Sequence, residues 1–138
     1  MRTERMPDPV TLVPGAAEAL ATLNNAVTQA GLDGRLLALC RLRAGQLNGC
    51  AAGVERAARL VTAPEQVAVW RDTRWFSEEE RAALALTEAV TGAEVPDRVW
   101  DVAATHFDQK ELAALLLAVA ITNAENRMDT STRRQAGR

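Results

Sequence analysis

Cys50 is the residue of this chain best placed to do chemistry. It follows Asn48-Gly49, which breaks a helical pattern because Asn accepts capping geometry and Gly has no Cβ to clash. A new helix is expected to start at Cys50, where unpaired N–H groups and the positive dipole end of a first turn favour thiolate. The alternative is a small buried packing residue, as free cysteines commonly are. Cys40, the other cysteine, sits in a leucine-rich stretch and reads as core. Ten residues of continuous helix rise about 15 Å, against the roughly 4.4–6.8 Å between Cα atoms that a disulfide allows. The break at Asn48-Gly49 shortens that span only in part, so an internal disulfide is not expected. Gln46, Asn48 and Glu125 are the other polar candidates for a largely apolar pocket. His106, the one histidine, lies just before Phe107-Asp108; a single histidine makes no metal site, and any Ser-His-Asp trio would have to recruit it.

These residues must be positioned by helices. About one residue in five is Ala, the strongest helix former, and no strand-like alternation is sustained, so the class is all-α, a bundle of about six helices. Residues 1–13 read as an extended N-terminal arm, 14–128 as one helical domain and 129–138 as a mobile tail. Pro14 can open a helix with Ala16, Ala17, Leu20, Leu23 and Val27 inward, closed by Gly31. Residues 33–47 are apolar nearly all round, the pattern of a buried helix. From Cys50 to Val61 the side chains are small, inviting close helix approach or leaving space for a ligand; Gly53 costs roughly 0.5–1 kcal/mol against Ala there. Arg56 and Arg59 read as solvated. Thr62-Ala63-Pro64-Glu65, Ser77-Glu78-Glu79-Glu80 and Asp108 with Glu111 all have capping-box spacing. Trp70, Trp75 and Phe76 form either a lid on the bundle or an aromatic wall. Gly92 ends one helix and Pro96 begins the next, which finishes near His106. Leu112 to Ile121 are ten apolar residues, too few for a bilayer, which needs ~20; they read as a central helix buried on all sides, within the fold or at a subunit contact.

Length 138 suits one domain, and a net charge of −2 gives no pull toward nucleic acid or anionic membrane. No glycine-rich phosphate loop and no basic, aromatic-interleaved surface is present, so neither a nucleotide cofactor nor a nucleic-acid partner is expected. The first residues lack the apolar core of a signal peptide, and two cysteines without framework spacing fit a reducing compartment; cytoplasm is the expected location.

The segment Leu42-Arg43-Ala44-Gly45-Gln46-Leu47-Asn48-Gly49-Cys50 resembles the site of the alkylhydroperoxidase-D-like, or carboxymuconolactone decarboxylase, family. The resemblance resumes at Trp70-Arg71-Asp72-Thr73 and at residues 76–86, then at Val95-Pro96-Asp97, His106-Phe107, Lys110-Glu111-Leu112 and residues 118–127. Each block is weak alone; the ordered set is fairly specific. It implies the family's helical bundle and a homo-oligomer, commonly a trimer or hexamer, with the site near subunit contacts. In the thiol-active branch it also implies a Cys-x-x-Cys pair, a His four residues later and a Glu twelve before the first Cys. Counted from Cys50 those positions are Gly53, Ala57 and Ala38, none of which ionises. If Cys50 matches the second cysteine instead, Val54 takes the His position. In both registers the partner thiol and imidazole are missing. Asn123 and Asn126 resemble the family's terminal motif, which implies buried hydrogen bonding, and Glu125 stands where the family usually has Trp.

A peroxidatic thiol needs deprotonation, a proton donor for the leaving oxygen and a group that resolves the sulfenic acid. The sequence offers at best the first, so dithiol alkylhydroperoxidase activity is the least favoured reading, and whether the chain is an enzyme stays open. Three functions follow: a scaffold repurposed to bind or transform a small organic molecule, with Gln46, Asn48, Cys50 and Glu125 as its polar groups; a single-cysteine, peroxiredoxin-like thiol protein using Cys50; or a non-catalytic oligomeric module.

Overall fold

In the computed structural model, which describes residues 3–137, five helix starts fall where a side chain accepts one of the first free N–H groups, at Asp8, Asp33, Cys50, Ser77 and Asp108. Asp8 accepts from Val10 N at 3.2 Å and opens a one-turn helix α1 (Pro9–Leu12) inside the arm that was expected to be extended. An Asp followed by Pro suits the cap and first helical positions, which explains that turn. Helix α2 (Ala16–Thr28) starts after a turn in which Gly15 takes a left-handed φ of 86°, rather than at Pro14. Of its expected inner side only Val27 is fully buried; Leu23 is 40% exposed. Asp33 caps α3 (Gly34–Leu47), and Cys50 caps α4 (Ala51–Ala58) after a turn at Gly49. Pro64–Asp72 forms a 3-10 segment. The capping box expected at Thr62 does not form, because the left-handed Ala63 holds the cap position instead. The boxes at Ser77 and Asp108 do form, opening α5 (Glu78–Thr91) and α7 (Gln109–Thr132), with α6 (Asp97–His106) between them.

Helix α3 lies at the centre, packed on α4, α5, α7 and the 3-10 segment. One side of it gives Leu36, Leu37 and Cys40 to a core shared with Leu86, Phe107, Leu115 and Val119. The other gives Leu39 and Leu42 to a core with Val67, Trp70, Phe76 and Leu84. Two cores on opposite sides are why this helix is apolar nearly all round. Trp70 and Phe76 are thus packed inside, whereas Trp75 is exposed. Arg43, Arg71 and the Trp70 indole converge on Glu88, tying the 3-10 segment to α3 and α5. Burial opposes ionisation of Glu88, yet the hydrogen bonds from Trp70, Arg71 and Arg43 hold it below the usual carboxylate range.

The apolar run of α7 is not buried on all sides: Ala113, Leu117, Ala120 and Ala124 form an exposed stripe. The helix also runs four residues past the expected end at 128. Asp129 and Thr132 continue its inward face, but as polar residues, so apolar periodicity could not reveal them. The chain around its end is held by the arm: Arg5 N donates to Thr132 O at 2.8 Å and Arg134 pairs with Asp8. Among the described residues no helix is long and apolar enough to cross a membrane.

Candidate functional site

The core turns polar along one stretch of α7. Thr122, Asn123, Asn126, Asp129 and Thr132 are all buried and face inward, toward the start of α4. Asn123 is satisfied: its Oδ1 accepts from Asn48 Nδ2 at 2.6 Å and its Nδ2 donates to Thr91. Asn126 is not. Both polar atoms of its amide are buried, and among the described residues neither has a hydrogen-bond partner. The hydrogen bonding implied for it is thus absent, and the nearby Gly53 N donates instead to Cys50 Sγ at 3.3 Å.

Gly53 and Asn126 fit each other closely. A Cβ on residue 53 would stand 2.5 Å from Asn126 Oδ1 and 3.2 Å from Cys50 Sγ. Beside this contact a cavity of about 260 Å³ opens between α2, α3, α4 and α7. Gly53 and Ala57, one turn apart on α4, make its floor, with Leu60 at the edge; Glu125 and Asn126 face them from α7, and Arg41 enters from α3.

Cys50 caps α4 as expected and is 2% exposed, which fits the small buried packing residue better than the reactive thiolate. Desolvation pushes the thiol up, the Gly53 N–H opposes this, and the Asp129 carboxylate adds to the rise. Asp129 Oδ2 lies 3.9 Å from Sγ and holds Arg56 in an ion pair of 2.8 Å, so the nearest cation is turned to the carboxylate. Cys40 is fully buried, and desolvation pushes it up to about 12 against a hydrogen bond to Thr87. Both cysteines are free.

The four expected pocket residues do not converge. Glu125 lines the cavity described above. Asn48 and Cys50 line a different, polar one of about 350 Å³ with Asp129 and Arg133. Gln46 lies in neither and accepts a hydrogen bond from Arg43 at 3.1 Å. His106 is exposed at the end of α6, its ring centroid 6.5 Å from that of Phe107.

No family model matches the chain. Its fold superposes with a TM-score of 0.90 on a crystal structure from Agrobacterium tumefaciens, 29% identical, with 99% of both chains covered. That protein, of unknown function, is provisionally called the antioxidant defence protein AhpD. This chain has the alkylhydroperoxidase-D-like fold. It also shares its fold, at a TM-score of 0.83 and 17% identity, with the debrominase Bmp8 held in complex with 2,3,4-tribromopyrrole; 92% of this chain and 73% of that one are covered. The uncharacterized protein YdfG of Bacillus subtilis is 26% identical over 127 residues, 85% of this chain and 86% of its own length.

On this fold, three site residues escaped the sequence: Arg41, Arg56 and Asp129. Arg56 is exposed, as expected of a solvated side chain, and it also spans α4 and α7 through its ion pair with Asp129. One signal was available. Glu125 and Asp129 are four apart and share a helix face, which placed a second acid beside the first. Nothing comparable marked Arg41, whose helix neighbours Arg35 and Arg43 pair with Glu80 and Glu88 on the opposite side of α3. Glu125 is half-buried; desolvation raises its pKa, and Arg56 and Arg41 pull the other way without cancelling the rise.

Proposed function

We propose that this chain uses the alkylhydroperoxidase-D-like scaffold to bind or transform a small organic molecule in the cavity between α2, α3, α4 and α7, without a dithiol cycle. The observation that carries this reading is Asn126, whose amide is buried without a partner in the wall of that cavity. A buried unsatisfied polar group costs about 1–3 kcal/mol and calls for an explanation beyond packing. A ligand that reaches the amide supplies one. In the register that matches Cys50 to the first family cysteine, the cavity floor also falls where the resemblance puts the second thiol and the imidazole, at Gly53 and Ala57. Small residues there leave space in place of chemistry. The Bmp8 complex supports the reading, since the same fold accommodates a small organic ring in that protein.

The single-cysteine reading is weaker, because Cys50 is buried and held in its thiol form. Association through the exposed Ala113, Leu117, Ala120 and Ala124 stripe is compatible with a ligand site and is part of the same proposal.

The test is a thermal-shift screen of small organic molecules against the wild type and Ala57→Leu, which fills the cavity floor. Compounds that raise the wild-type melting temperature are expected to have no effect on Ala57→Leu, provided circular dichroism shows it folded. Equal shifts in both proteins would place binding elsewhere and remove the proposal.

A further inference from the structure

Arg41 is the unexplained cation of the cavity. Among the described residues its guanidinium has no ion-pair partner, although it is half-buried. Other half-buried or bridging arginines nearby are engaged: Arg35 with Glu80, Arg43 with Glu88 and Arg56 with Asp129. Glu125 shares the cavity and interacts with Arg41 electrostatically, but the two form no ion pair. Burial pushes the Glu125 carboxyl above its ordinary range against the pull of Arg56 and Arg41, which disfavours its charged form beside Arg41. A planar guanidinium left open in a partly desolvated site matches a carboxylate with two parallel hydrogen bonds.

The remaining walls limit the rest of the ligand. Ala57 and Leu60 give one apolar wall, with Leu60 69% exposed, while Asn24, Thr28 and Thr122 line the rest with uncharged polar groups. At about 260 Å³ the cavity lies just under the ~300 Å³ at which drug-sized sites begin. One free cation and one apolar wall in so small a space select a compact ligand with a single charge.

We propose that the cavity takes a small monocarboxylate with an apolar body, its carboxylate on Arg41 and its body against Ala57 and Leu60. This rests on the reading of the cavity as a ligand site and adds the ligand's class. It separates the site from one for a hydroperoxide or a protein dithiol, neither of which requires a fixed guanidinium.

Titration calorimetry of the full chain with benzoate, 4-methylpentanoate, their uncharged amides and inorganic phosphate tests it. The carboxylates are expected to bind at least about tenfold more tightly than the amides, as a charge-assisted hydrogen bond warrants. Arg41→Gln should abolish that preference while leaving weak amide binding, and Arg41→Lys should retain part of it. Lys also guards against misreading a folding defect in the Gln variant. Amides binding as well as carboxylates, or a preference that survives Arg41→Gln, would overturn the carboxylate class and leave the cavity reading standing. Phosphate binding with no response to either carboxylate would show an adventitious anion site and overturn it too. If no probe binds, the class is again overturned, while the broader thermal-shift screen with Ala57→Leu judges the cavity by itself.

Discussion

At Glu125 a carboxyl group sits where desolvation disfavours its charge, and the pull of Arg56 and Arg41 does not restore it. Its folded pKa is raised above the ordinary 4.5. The neutral form is therefore the one the fold prefers, and stability falls as pH rises through 4.5 toward the raised value, with the full penalty present above it. Glu125→Gln removes the penalty. Melting curves should show a gain for the variant near pH ~7 and no difference near pH ~3, where the Glu125 carboxyl is protonated in both the folded and the unfolded wild-type chain. A loss at neutral pH would mean that Arg41 and Arg56 require the charge. The sequence exposed the chemical oddity of Glu125, an acid where the resemblance implies Trp, but not which way its equilibrium leans. That depends on burial and on Arg56 from another helix, which no local pattern encodes. Cys50 gives the converse lesson. Its helix-start position was legible and does supply a favourable N–H from Gly53, yet burial and Asp129 outweigh it.

The α4–α7 contact rests on the absence of one methyl group. Ala should favour helix over Gly by roughly 0.5–1 kcal/mol, so a tolerant site would gain stability from Gly53→Ala. Here the new Cβ would meet Asn126 Oδ1 at 2.5 Å, well inside any ordinary contact. Gly53→Ala is expected to destabilise by about 1–3 kcal/mol in urea denaturation, as overpacking does. Asn126→Ala should rescue it, because removing the amide removes both the clash and the orphaned polar atoms. A double-mutant cycle with no coupling between the two sites would show that their contact is not what fixes glycine here. At this scale the sequence was informative where side chains act locally: Ser77 and Asp108 box their helices, and Cys50 opens α4. It failed at Ala63, whose left-handed turn is set by the surrounding fold, and at α7 beyond Met128, where a buried polar face carries no apolar signal.

Across the whole molecule, the ordered blocks of resemblance and the alanine-rich composition led to the all-α bundle that the structure and its neighbour display. The site was less legible, because its cavity is defined by what Gly53 and Ala57 omit and by residues from four helices. The exposed apolar stripe on α7, with Leu117 43% exposed, is expected to be covered in solution by another copy of the chain. Native mass spectrometry of the full chain would then show more than one subunit per particle; a monomer at every concentration would remove that expectation. The same measurement, made after adding the compound that most raises the melting temperature, tests the central claim most directly. One ligand mass per chain on the wild type, and none on folded Ala57→Leu, is the predicted result. Equal ligand occupancy on both proteins would contradict a site built over residues 53 and 57.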